Sequence, residues 1–138
     1  MSKKHAEYEQ RLILFLDFLG FKEVVAQTTK EPAHLRTVLR AIDNVRELGS
    51  EKSLHRSLRA THFSDSLVIS YRIQEQSAVF WLLNQLVYPI IQLPGRGFLL
   101  RGAITAGPLL HTKEYLVGPA MVKAYRMESK EAKFPRVI

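Results

Sequence analysis

The chain contains no cysteine, which excludes disulfides, thiolate metal sites and a cysteine nucleophile. It also lacks a P-loop and any Gly-x-Gly-x-x-Gly stretch, so the common glycine-rich phosphate cradles are absent. No apolar run is long enough to cross a membrane. The greasiest segment, Ala78 to Leu93, is broken by Asn84, Gln85, Pro89 and Gln92. The N-terminal Met1-Ser2-Lys3-Lys4-His5-Ala6-Glu7 is charged and leads into too short an apolar run for a signal peptide. A cytoplasmic protein with no membrane partner is therefore expected. Repeats, low-complexity tracts and linkers are missing too.

What is present suits one globular domain over residues 1–138, with 46% hydrophobic and 24% charged residues. The formal net charge is +7. Its lysines and arginines are scattered, with a loose cluster only between Arg36 and Arg59. That pattern reads as a solvated basic surface; the alternative is attraction of a polyanion, either a nucleoside triphosphate or a nucleic acid. His5, His34, His55, His62 and His111 show no metal-ligand spacing.

Periodicity predicts a first strand at about Leu12 to Phe18, then a turn into helix at Gly20-Phe21. Leu35, Val38, Leu39, Ile42, Val45 and Leu48 recur at helical spacing up to Gly49. Arg59 to Tyr71 reads as a hairpin turning near Ser64-Asp65-Ser66. Val79, Leu82, Leu83, Leu86, Val87, Ile90 and Ile91 predict a second amphipathic helix ended by Pro89 and Pro94-Gly95. A strand follows from Phe98 to Thr105, bending at Ala106-Gly107-Pro108 into a short strand at Leu109 to His111. Gly118-Pro119 opens a third helix to about Lys130, and Phe134 to Ile138 begins a further strand. The order implies an α+β fold with a ferredoxin-like split βαβ core. A closing apolar strand with nothing after it to pair leads to the expectation of further strands beyond Ile138.

Two apolar strand-like runs end in aspartates, Asp17 and Asp65. A carboxylate placed there is costly unless a cation sits opposite it. Two of them gathered by one sheet suit magnesium or manganese held against phosphate oxygens. Gly20 and Phe21 would offer backbone N–H groups at a helix N-terminus. The plainer uses are Asp17 as a helix N-cap and Asp65 as a turn residue. Arg126 lies one helical turn beyond Val122 and suits either charge stabilisation on a phosphoryl group or a surface ion pair. Ser64 and Ser66 have no evident base.

Asp17-Phe18-Leu19-Gly20-Phe21 resembles the first metal motif of the class III nucleotidyl cyclases. Phe63-Ser64-Asp65 is similar to that family's hairpin aspartate, Leu100 to Gly107 to its following strand, and Val117 to Glu128 to the helix bearing its transition-state arginine. The wording from Val117 to Ile138 is most similar to the bacterial pyrimidine cyclases of the Pycsar anti-phage systems. The resemblance implies Asp17, Asp65 and the Phe18 carbonyl as ligands of two divalent ions, Mn2+ or Mg2+. It implies Gly20 and Phe21 at the triphosphate and Arg126 donated across a head-to-tail homodimer. It further implies conversion of UTP, or CTP, to the 3′,5′-cyclic monophosphate and pyrophosphate, as a messenger for a downstream effector. The sequence departs from the family at Val122, where an asparagine is usual, and at Thr61 and Tyr115, which stand where adenylate cyclases carry their purine-selecting lysine and aspartate.

Three other readings remain at this point: a purine cyclase, a catalytically silent cyclase-like module, and a nucleic-acid-binding ferredoxin-like domain. The last would expose aromatics on the sheet, whereas Phe15, Phe18 and Phe63 read as core.

Overall fold

A computed structural model describes residues 6–46, 57–63, 65–75, 77–94 and 98–138. Strand β1 (Glu9–Leu19) leads into helices α1 (Phe21–Thr28) and α2 (Pro32–Arg46). Strands β2 (Arg59–His62) and β3 (Ser66–Arg72) form the hairpin, followed by α3 (Ala78–Gln92). Strands β4 (Leu99–His111) and β5 (Leu116–Val117) precede α4 (Pro119–Arg126), which continues as a π-helical turn, Met127–Ala132. The sheet order is β2-β3-β1-β4-β5, with every pairing antiparallel. Its first four strands have the split βαβ order expected from the sequence.

Alternation along β1 separates two cores, because successive side chains on a strand point to opposite faces. Leu14, Leu16 and Phe18 pack with Val38, Ala41, Val45, Leu82 and Leu86 on the face covered by α2 and α3. Ile13 and Phe15 pack with Val68, Leu109 and the α4 residues Ala120 and Ala124 on the other. Asp17 belongs to this second set, so the fold aims it toward α4.

Several expectations are corrected. Residues 99–111 form one strand rather than two, because residues 106–109 stay paired to β1 through the Gly107-Pro108 step; the short strand is instead Leu116–Val117. Helix α3 continues past Pro89 to Gln92. The third helix is α-helical only to Arg126, after which the turns widen. The strand expected over Phe134–Ile138 is shorter: around a parallel bridge of Val137 to Gly102, Gly102 N–H donates to Arg136 O at 2.9 Å, Ile138 N–H to Gly102 O at 3.1 Å and Ile104 N–H to Ile138 O at 2.7 Å. The buried stripe of α2 is Val38, Ala41 and Val45, while Leu35 and Leu39 are exposed. On α3 Leu82 and Leu86 are buried, but Val79, Leu83, Val87, Ile90 and Ile91 face outward. Phe63 is exposed, whereas Phe15 and Phe18 are core as expected. Leu48, Gly49, Ser64, Gly95 and part of the Arg36–Arg59 cluster lie outside the described residues.

Gly102 is required by close approach: a Cβ there would run into the Phe15 carbonyl oxygen and Leu16 Cδ2. Glycine thus lets β4 lie tight against β1 beside Asp17.

Candidate active site

Asp17 lies within β1, two residues before the strand ends, opposite Ser66 on β3 and Arg101 on β4. It is not a helix N-cap, since α1 is capped by Gly20 in the left-handed conformation at φ 68°. Phe18 N–H donates to the Asp65 carbonyl at 2.9 Å, and Phe63 N–H to the Ser66 carbonyl at 2.8 Å. These bonds tie the β2–β3 turn to the end of β1. The Ser66 hydroxyl then lies 3.2 Å from Asp17 Oδ1 and 3.5 Å from Asp65 Oδ1. The structure thus brings together the two aspartates that the sequence places 48 residues apart.

The corner after them is held by aromatic packing. Phe18 stacks on Phe21 with centroids 5.8 Å apart and meets Phe98 edge-on at 5.9 Å. Gly20 caps α1 and Phe21 opens it, so the α1 N-terminus follows directly on β1.

Glu128 is a third carboxylate that the sequence reading did not single out. It is 2% exposed, on the π-helical turn after Arg126, and accepts from Arg101 Nε at 2.7 Å. Its signal was present: Ala120, Ala124 and Glu128 recur every four residues on the buried face of α4, and a charge there needs a partner. Burial first, then the nearby Glu128 and Asp65 carboxylates, push the Asp17 carboxyl up to about 6.

Arg126 does not meet the aspartates within this chain. It is exposed on α4, as is Val122 one turn earlier, and among the described residues it makes no ion pair. Two residues on, Glu128 is buried near Asp17; at about 100° per residue the two side chains leave opposite sides of the helix.

A polar network occupies the other end of the same sheet face. Arg11 Nε donates to Ser70 Oγ at 2.8 Å, and Ser70 Oγ lies 2.7 Å from His111 Nδ1. His111 Nε2 lies 2.7 Å from Thr61 Oγ1. In the neutral ring one nitrogen donates and the other accepts, and the two hydroxyls serve both roles, so Ser70 and Thr61 between them satisfy both nitrogens of His111. Burial, then the Arg11 and Arg59 charges, lower the His111 pKa to about 4 and keep the ring neutral. Tyr115 is exposed on the β4–β5 turn.

Among the described residues no group of three or more histidines or carboxylates is arranged to hold a metal. Asp17 and Asp65 are nevertheless adjacent carboxylates, and the neighbouring Arg101 is engaged by Glu128. That donor set fits a magnesium-type ion whose remaining ligands are water and phosphate oxygens.

No family model matches the sequence, and no curated protein matches it. Solved structures do. The guanylyl cyclase domain of the RhoGC fusion protein from the aquatic fungus Blastocladiella emersonii, in an atypical dimer, is 18% identical with a TM-score of 0.71, covering 95% of this chain and 79% of that one. The chain has the class III nucleotidyl cyclase fold. The guanylate cyclase domain of RhGC from Catenaria anguillulae, in complex with GTP, is 19% identical with a TM-score of 0.62, covering 95% and 78%. The adenylyl cyclase CyaB from P. aeruginosa is 13% identical with a TM-score of 0.57, covering 88% and 72%. This cyclase-like domain thus shares its fold with purine cyclases of both base types. Among its described residues no helix is long and apolar enough to cross a membrane.

Proposed function

We propose that the protein is a nucleotidyl cyclase acting as a head-to-tail homodimer, with UTP as favoured substrate, CTP as the second pyrimidine, and a cyclic pyrimidine nucleotide as an anti-phage messenger for a downstream effector. The observation that carries the cyclase reading is the meeting of Asp17 and Asp65 around Ser66 at the end of β1, beside the α1 N-terminus. Asp17, Asp65 and the Phe18 carbonyl would hold two divalent ions, Mn2+ or Mg2+. Bound there, the ions would acidify the ribose 3′-hydroxyl and neutralise the leaving pyrophosphate. The backbone at Gly20 and Phe21 would receive triphosphate oxygens at the start of α1. Arg126 would come from the second subunit and stabilise charge on the α-phosphorus during in-line attack. Its outward direction, away from Asp17 of its own chain, supports that trans arrangement.

The choice of a pyrimidine rests on the resemblance, with Thr61 and Tyr115 standing where adenylate cyclases carry their purine-selecting lysine and aspartate, and the lean to UTP over CTP comes from the resemblance alone. The silent-module alternative is favoured by no observation here, since both aspartates and the arginine are present.

The test incubates the protein with manganese and each of the four ribonucleoside triphosphates, identifying products by mass spectrometry. Cyclic UMP, lost in Asp17→Ala and Arg126→Ala, is the expected result. A cyclic purine product would overturn the substrate assignment, and no product from a folded dimer would favour the silent module.

A further inference from the structure

Asp17 and Arg101 are direct cross-strand neighbours in the β1–β4 ladder. Side chains so placed stand about 5 Å apart at Cβ, close enough for an arginine to clamp the carboxylate opposite it. Here the guanidinium turns elsewhere: Arg101 Nε donates to Glu128 Oε1 at 2.7 Å, with the glutamate side chain 3% exposed and the arginine side chain 21% exposed. Glu128 also lies near Asp17, so the arginine's partner and the aspartate share one corner of the sheet face.

We infer that Glu128 is a positioning residue that holds Arg101 away from Asp17 and so keeps the aspartate pair open to a divalent cation. The charge balance supports this. Glu128 and Arg101 neutralise each other, which leaves Asp17 and Asp65 with two negative charges for a doubly charged ion. Without Glu128, Arg101 would pair with Asp17 and compete with the metal from inside the protein. Glu128 also anchors the turn that follows Arg126, so the same contact that frees the metal ligand fixes the helix carrying the arginine. The inference rests on the metal reading of the proposed function.

The test is manganese binding to the whole chain without nucleotide, followed by electron paramagnetic resonance, with thermal unfolding run beside it. In Glu128→Gln the freed Arg101 should weaken manganese binding by roughly tenfold, the scale of one charge-assisted hydrogen bond. In the double variant Arg101→Gln with Glu128→Gln, binding should return to within about threefold of the parent, the mark of a coupled pair. Arg101→Gln alone should not weaken it. A purely structural role predicts that both single changes lower the melting temperature and that the double change restores no manganese affinity, and that outcome overturns the inference. Unchanged binding in Glu128→Gln overturns it as well. A parent protein that binds no manganese removes the metal reading itself, and the inference with it.

Discussion

Arg126 and Glu128 stand two residues apart where α4 widens into its π-helical turn, the first exposed and the second 2% exposed against β4. One helix thereby presents a cation outward while it seals the carboxylate side of its own subunit. This geometry keeps the arginine and the aspartates of one chain apart, as the proposed head-to-tail dimer requires.

Complementation follows directly. Asp17→Ala and Arg126→Ala should each be inactive alone, yet a mixture should recover activity, because each mixed dimer keeps one site with both an intact Asp17 and an intact Arg126. Random exchange of a twofold dimer gives about a quarter of the parent rate. Absence of recovery, with subunit exchange confirmed by native mass spectrometry, would place the arginine and aspartate of a working site on the same chain.

Single substitutions should rank by what each removes. Arg126→Ala should lower kcat by about 10²–10³, as loss of one charge-stabilising donor does. Asp17→Ala should cost more, with loss of manganese binding. Ser66→Ala removes a neutral hydroxyl shared by the two carboxylates and should cost roughly tenfold, about 1.4 kcal/mol. Steady-state rates on the favoured triphosphate check the order.

Stability should respond to pH in two opposing ways. Asp17 is raised from 3.8 to about 6, so the native state binds a proton more tightly than the unfolded chain between those values. Its contribution therefore falls as pH rises through that window. His111 is lowered from 6.5 to about 4, and its contribution is lost as pH falls through that range. In metal-free thermal melts, Asp17→Asn should stabilise the protein near neutral pH and not below about pH 4. His111→Asn should flatten the acid limb. Added manganese should reverse the first effect in the parent by occupying the ionised aspartates.

Gly102→Ala should destabilise the fold by about 1–3 kcal/mol, the scale of overpacking a tight core, because its Cβ meets the Phe15 backbone across the ladder. Since Arg101 adjoins it, manganese binding should weaken along with stability. A melt unchanged from the parent would show that β4 can shift without strain.

Much of this was legible along the chain. The uninterrupted apolar run before Asp17 marks a strand covered on both faces, and helical spacing marks α2 and α3, because backbone geometry imposes those periods locally. Asp17, Asp65, Gly20 and Arg126 were visible as chemistry out of place or at a structural corner. The sequence alone did not determine which apolar residues of α3 are covered, since both of its sides are greasy and only packing against the sheet selects Leu82 and Leu86. Nor could it unite residues 99–111 into one strand, because continued pairing with β1 outweighs the local turn signal at Gly107-Pro108. The role of Glu128 belongs wholly to the tertiary structure: its partner Arg101 is 27 residues away, and a buried charge acquires its meaning only from the groups that folding sets beside it.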